Sequence, residues 1–134
     1  MWAPINFSLL AAAYKLAGQI EESLAVLDEA LRIVESAGGH FMAAELNRRK
    51  GHILLRQGYA EVAEELFRKA LIMAREQGIR AWELRTTTSL ARLRSDQRRR
   101  AEARDLLQPI YELFTEGFNT SDLKDAKAVL NSLA

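Results

Sequence analysis

The feature that most constrains this chain is an apolar pattern that returns every 40 residues. It is most complete from Arg56 to Gly78, RQGYAEVAEELFRKALIMAREQG, which opens on a turn and runs into a stripe at helical spacing. Leu54, Ala63, Phe67, Ala70, Leu71 and Ala74 form the stripe, and the small Ala63 and Ala70 flank bulky Phe67, leaving room for a second helix to approach closely. Upstream, Gly18, Ser23, Leu27, Ala30 and Leu31 repeat the pattern; downstream, Ala103, Leu107, Ile110 and Tyr111 do so. A unit of this length is one helix hairpin, which buries its apolar face only by stacking on a neighbour.

Taken in order, the chain predicts three antiparallel hairpins and a solitary last helix, an all-α fold in a single domain over residues 1–134. Repeat one spans about 5–37: Pro4 suits a helix start, Phe7, Leu10, Ala11 and Tyr14 make a stripe, Gly18 ends it, and Ile20, Leu24, Leu27, Leu31 and Val34 mark the return helix. Gly38-Gly39 breaks the chain. Repeat two spans about 41–77, and its first helix carries Gly51, which costs about 1 kcal/mol relative to Ala and so implies close packing. Repeat three spans about 80–116, with the poor helix formers Thr86-Thr87-Thr88-Ser89 held helical by a packed neighbour. ELNR at Glu45 and ELRT at Glu83 match at a shift of 38, whereas the second helices match at 40, which predicts two extra residues in the turn RSDQRRR. The last hairpin helix is expected over about Arg100 to Glu116, with a kink or a lost hydrogen bond near Asp105 caused by Pro109. A final helix over about 121–133, capped by Thr120 or Ser121, carries Leu123, Ala126, Val129, Leu130 and Leu133 and would cover the last repeat.

Composition excludes several classes of function. With no cysteine there is no disulfide and no thiolate chemistry. No apolar run approaches the roughly 18 to 20 residues needed to span a bilayer, and the N-terminus lacks the basic region of a signal peptide, so a cytoplasmic location without membrane attachment is expected. The net charge of +1 is unevenly spread: residues 75–104 hold nine basic and four acidic side chains, while residues 1–47 hold two and six. The centre is therefore basic and the ends acidic.

Particular residues carry a resemblance. Phe7, Leu10, Ala11 and Tyr14 fit the first part of the pattern W-x2-L-G-x2-Y…A-x3-F with Phe for Trp and Ala for Gly, Ala63 and Phe67 fit the second part, and Ser23 with Leu27 and Ala103 with Leu107 fit it conservatively. The chain thus resembles a tetratricopeptide-repeat protein, departing from it at Asn47 and Thr87 and in its longer period. AAAYKLAGQIEESLAVLDEAL, AELNRRKGHILL, WELRTTTSLARL and especially FTEGFNTSDLKDAK look like pieces of the C-terminal repeat region of bacterial predicted ATPases, many of them fused to class III adenylate or guanylate cyclases. The resemblance implies hairpins stacked in a right-handed superhelix, acting as a protein-interaction scaffold. It implies no cyclase activity here, because the sequence holds no GxxxxGK[ST] loop and only the repeats, as an excised or stand-alone module would.

No chemical constellation competes with that reading, so neither enzymatic activity nor a cofactor is expected. His40 and His52 are twelve apart without a pairing suited to metal, and the neighbouring carboxylates Glu21-Glu22, Asp28-Glu29 and Glu64-Glu65 point about 100° apart on a helix. Tyr14 and Tyr111 belong to core stripes. The basic first helices are the candidate site: Lys15, Arg48, His52, Arg56, Arg85 and Arg92 would line the concave surface and attract a protein segment or peptide of acidic character. The chaperone-tail clamp of some relatives is not reproduced, since Ser8 and Ala12 stand at its positions. An alternative is a homodimer formed through an uncovered N-terminal face bearing Trp2, Ile5, Phe7 and Leu9. Arg94, Arg98, Arg99, Arg100 and Arg104 would suit phosphates, but the turn has no interleaved aromatics or glycine-rich cradle, which argues against nucleic acid.

Overall fold

The computed structural model describes residues 20–37 and 42–133, and every regular element among them is helical. The elements are α1 (Ile20–Ala37), α2 (Ala43–Arg56), α3 (Ala60–Gln77), α4 (Arg80–Asp96), α5 (Arg100–Glu112) and α6 (Ser121–Ser132). The chain is therefore all-α over the described residues. The expected first helix with Phe7, Leu10, Ala11 and Tyr14, the Gly38-Gly39 break and His40 lie outside them. So do Lys15 and the residues Trp2, Ile5, Phe7 and Leu9. Two compact units divide the chain, one through Met73 and one from Ala74.

In the first unit, α1 and α2 bury one face each. Leu27, Ala30, Val34, Ala43, Leu46 and Ile53 form a cluster, and Ile20, Leu24, Leu31 and Met73 pack against it. Lys50 of α2 reaches Asp28 of α1 at 2.7 Å. The interior glycine of α2 has the purpose its cost implied: a Cβ on Gly51 would stand 2.7 Å from Cε1 of Phe67 and 3.3 Å from the Ala63 carbonyl oxygen. Phe67 is 0% exposed, and its ring also meets His52, centroid to centroid, at 4.9 Å. Asn47 is buried and donates from Nδ2 to the Ala43 carbonyl at 2.8 Å.

In the second unit, α6 joins α4 and α5 in one core. Leu84 and Ala91 of α4, Ala103, Leu107 and Ile110 of α5, and Leu123, Ala126, Val129 and Leu133 are buried together. The central run of α4 is buried from Thr86 to Ala91. Three of its four hydroxyls bond within the helix, Thr87 donating to Glu83 O at 2.7 Å, Thr88 to Leu84 O at 2.8 Å and Ser89 to Arg85 O at 3.2 Å. Such back-bonding lets polar residues occupy a packed face without an unpaired group.

Three sequence expectations are corrected. The RSDQRRR turn holds no extra residues. Gln57 and Gln97 are both C-caps, and Gly58 and Arg98, 40 positions apart, both follow with positive φ, 92° and 62°. The same bonds then recur, Tyr59 N–H to Leu54 O at 3.0 Å and Arg99 N–H to Arg94 O at 2.8 Å, with Gly58 to Leu55 at 3.0 Å and Arg98 to Ser95 at 2.9 Å. This is the helix-ending pair of bonds that a left-handed residue permits. The length difference lies inside the helices, since α2 has 14 residues and α4 has 17. Next, α5 ends at Glu112 rather than Glu116: past Pro109, the amides of Leu113 and Phe114 bond three residues back, to Ile110 and Tyr111, and the tightened turn stops the helix. Finally, Thr120 holds the N-cap position of α6 with an extended backbone, yet its side chain makes no capping bond.

Candidate functional site

The basic residues expected to form a binding surface separate into engaged and open ones. Arg48 on α2 is engaged. Its guanidinium grips Glu45 through Nε at 2.9 Å and Nη2 at 2.7 Å, with only 17% of its side chain exposed, and Arg49 adds a contact to the same carboxylate at 3.4 Å. Arg85 on α4 is engaged across a greater sequence distance, donating from Nε and Nη2 to the two oxygens of Asp122, both at 3.0 Å. That bidentate pair ties α4 to the first turn of α6. His52 rests half-buried against Phe67.

Arg56 and Arg92 are exposed. Arg56 ends α2, where a cation complements the partial negative charge of the helix terminus. Arg92 lines a cleft of about 300 Å³ between α4 and α6, together with Ser95, Asp96, Ala128, Val129 and Ser132. Val129 and Ala128 supply an apolar wall, while the Arg92 guanidinium, the Asp96 carboxylate and the two hydroxyls supply polar groups. Sequence reasoning selected Arg92 but not Ser95 or Ser132, because the latter reach the cleft only through the packing of α6 on α4.

The arginine-rich turn has internal work. Arg100 donates to the Ser132 carbonyl at 2.5 Å and Arg104 to that of Leu133, so two cations from α5 hold the carboxyl end of α6. Arg99 grips Glu102, with Nη2 to Oε1 at 2.9 Å. That hydrogen bond, aided by the charges of Arg99 and buried Arg94, holds the Glu102 carboxyl below its ordinary range. Glu29 is likewise lowered by its bond from Arg32 on α1.

A second concavity of about 320 Å³ lies along α5, and its lining is the more acidic of the two. Arg75 and Glu83 form one wall, joined at 3.1 Å, and Asp105, Leu106, Pro109, Ile110 and Leu113 form the other. Among the described residues no group of three or more His, Cys, Asp or Glu side chains converges to hold a metal ion. No described helix is long and apolar enough to cross a membrane. Comparison with protein-family models returns no match, and comparison with curated proteins returns none either.

Proposed function

We propose that this chain is a non-catalytic protein-interaction scaffold of the tetratricopeptide-repeat kind, its hairpins stacked in a right-handed superhelix, and that it binds an acidic protein segment. The observation that carries the reading is the return of the hairpin turn after 40 residues, with the same pair of helix-ending bonds at Tyr59 and Arg99. A chain that repeats its turn to the residue is built from equivalent hairpins, and stacked hairpins serve chiefly to present an extended surface. The likeness of FTEGFNTSDLKDAK to the repeat region of bacterial signalling ATPases and cyclases adds support, and makes such a protein the expected context.

The binding side chains are the open cations, Arg92 first and Arg56 second. Arg92 stands beside Ser95, Asp96 and Ser132 in a cleft with one apolar wall, and its exposed guanidinium suits a carboxylate flanked by a small apolar side chain. Arg48 and Arg85 contribute by exchanging an internal carboxylate for an external one, and so weakly. Titration of the chain with an acidic peptide panel tests the reading: saturable binding that falls with salt and is lost in Arg92→Glu is expected. Binding that is absent, or indifferent to Arg92→Glu, sinks it.

A further inference from the structure

The helix α5 carries more apolar surface than its own unit covers. Ala103, Leu107 and Ile110 are buried in the core, and Phe114 packs against it. Leu106, Pro109, Ile110 and Leu113 stand at i, i+3, i+4 and i+7, a second stripe that shares only Ile110 with the first. Leu106 is half-buried, Pro109 is exposed and Leu113 is 54% exposed, so this stripe is the open floor of the 320 Å³ groove.

Apart from Arg75, the polar groups around that floor are acceptors. Arg75 is engaged by Glu83 in the same wall of the groove at 3.1 Å. Asp105 is exposed and lines the groove, and its backbone carbonyl has lost the usual helical donor four residues on, because Pro109 has no N–H. One carboxylate and one released carbonyl therefore sit beside the apolar stripe, and the net charge of the lining is negative. An apolar strip edged by unmatched acceptors complements a segment that brings aliphatic side chains and a cation.

We infer that the α5 groove is a docking site for a basic amphipathic helical segment of another protein, with two aliphatic side chains on Leu106 and Leu113 and a Lys or Arg at Asp105. This site is separate from the Arg92 cleft and opposite to it in charge preference, so one chain can hold two segments of unlike chemistry.

The test is selection of a random twelve-residue peptide library against the full chain, then affinity measurement with the synthesised winners. Expected winners carry two aliphatic residues three or four apart and a Lys or Arg. Leu113→Glu weakens them at least tenfold, roughly the loss seen when a central anchor goes. Selection against Asp105→Lys turns the preference to acidic peptides, while Arg92→Glu leaves the original winners' affinity unchanged. All three substituted positions are exposed, and Leu113→Ser repeats the test should Leu113→Glu disturb the fold. Absence of such basic winners beside the acidic ones that the Arg92 cleft takes, or basic winners that lose affinity with Arg92→Glu but not with Leu113→Glu, overturns the inference. So does concentration-dependent self-association of the unaltered chain abolished by Leu113→Glu, which would make the occupant a second copy.

Discussion

Replacing Gly51 by Ala separates two forces of similar size. Gly in a helix interior costs about 1 kcal/mol relative to Ala, so helix propensity alone makes Gly51→Ala stabilising by that amount. The packing says otherwise. The added Cβ would sit 2.7 Å from Cε1 and 3.0 Å from Cδ1 of Phe67, well inside van der Waals contact. That ring is 0% exposed and has His52 against it at 4.9 Å, so it has no open direction in which to retreat. Forcing a methyl into a packed core costs about 1 to 3 kcal/mol. The net effect is destabilisation of up to about 2 kcal/mol, which lowers the melting temperature by roughly 4 °C per kcal/mol in a chain of 134 residues. Urea unfolding followed by far-UV circular dichroism measures it. Phe67→Leu in the Gly51→Ala background relieves the collision, so a double-mutant cycle gives a favourable coupling of about 1 kcal/mol or more. A Gly51→Ala protein that is more stable by about 1 kcal/mol, with no coupling to Phe67, would refute the close approach.

Three further outcomes follow from the same structure. Gly58→Ala destabilises by about 1 to 2 kcal/mol through backbone strain alone, since nothing lies within 4 Å of its Cβ, and Arg98→Gly, at the equivalent turn, stabilises by about 1 kcal/mol; equilibrium unfolding of the two variants checks the opposite signs. Breaking the Arg85–Asp122 pair with Asp122→Asn costs about 1 kcal/mol and raises amide exchange in α6 before that in α4, read by hydrogen exchange. Glu102 titrates below its unfolded value, so its contribution to stability is present above the ordinary carboxylate range and is lost as pH falls through the folded value; Arg99→Gln moves the Glu102 titration up, as carboxyl carbon NMR would record.

Most of the helical plan was legible because 3.6-residue periodicity and glycine punctuation agree. Gly51 announced a close approach and Phe67 supplied it. What the residues concealed has local causes. Arg98 takes a left-handed conformation that Gly58 advertises and an arginine does not, so the second hairpin turn read as longer than it is. The apolar residues beyond Pro109 continue the stripe in sequence after the helix has ended, and Leu113 belongs to the groove, not the core. At the candidate site, the Glu45 partner of Arg48 lies one turn away and was within reach of sequence reasoning. The Asp122 partner of Arg85, 37 residues on, depends on how α6 packs, and so does the cleft that surrounds Arg92.

The claim that this chain is a scaffold reading acidic segments meets its most direct test in an NMR titration of the isotope-labelled chain with an acidic peptide. The account predicts saturable shifts concentrated at Arg92, Ser95, Ala128 and Ser132, with a smaller response at Arg56. No shifts at peptide excess, or shifts confined to residues remote from Arg92, would contradict it.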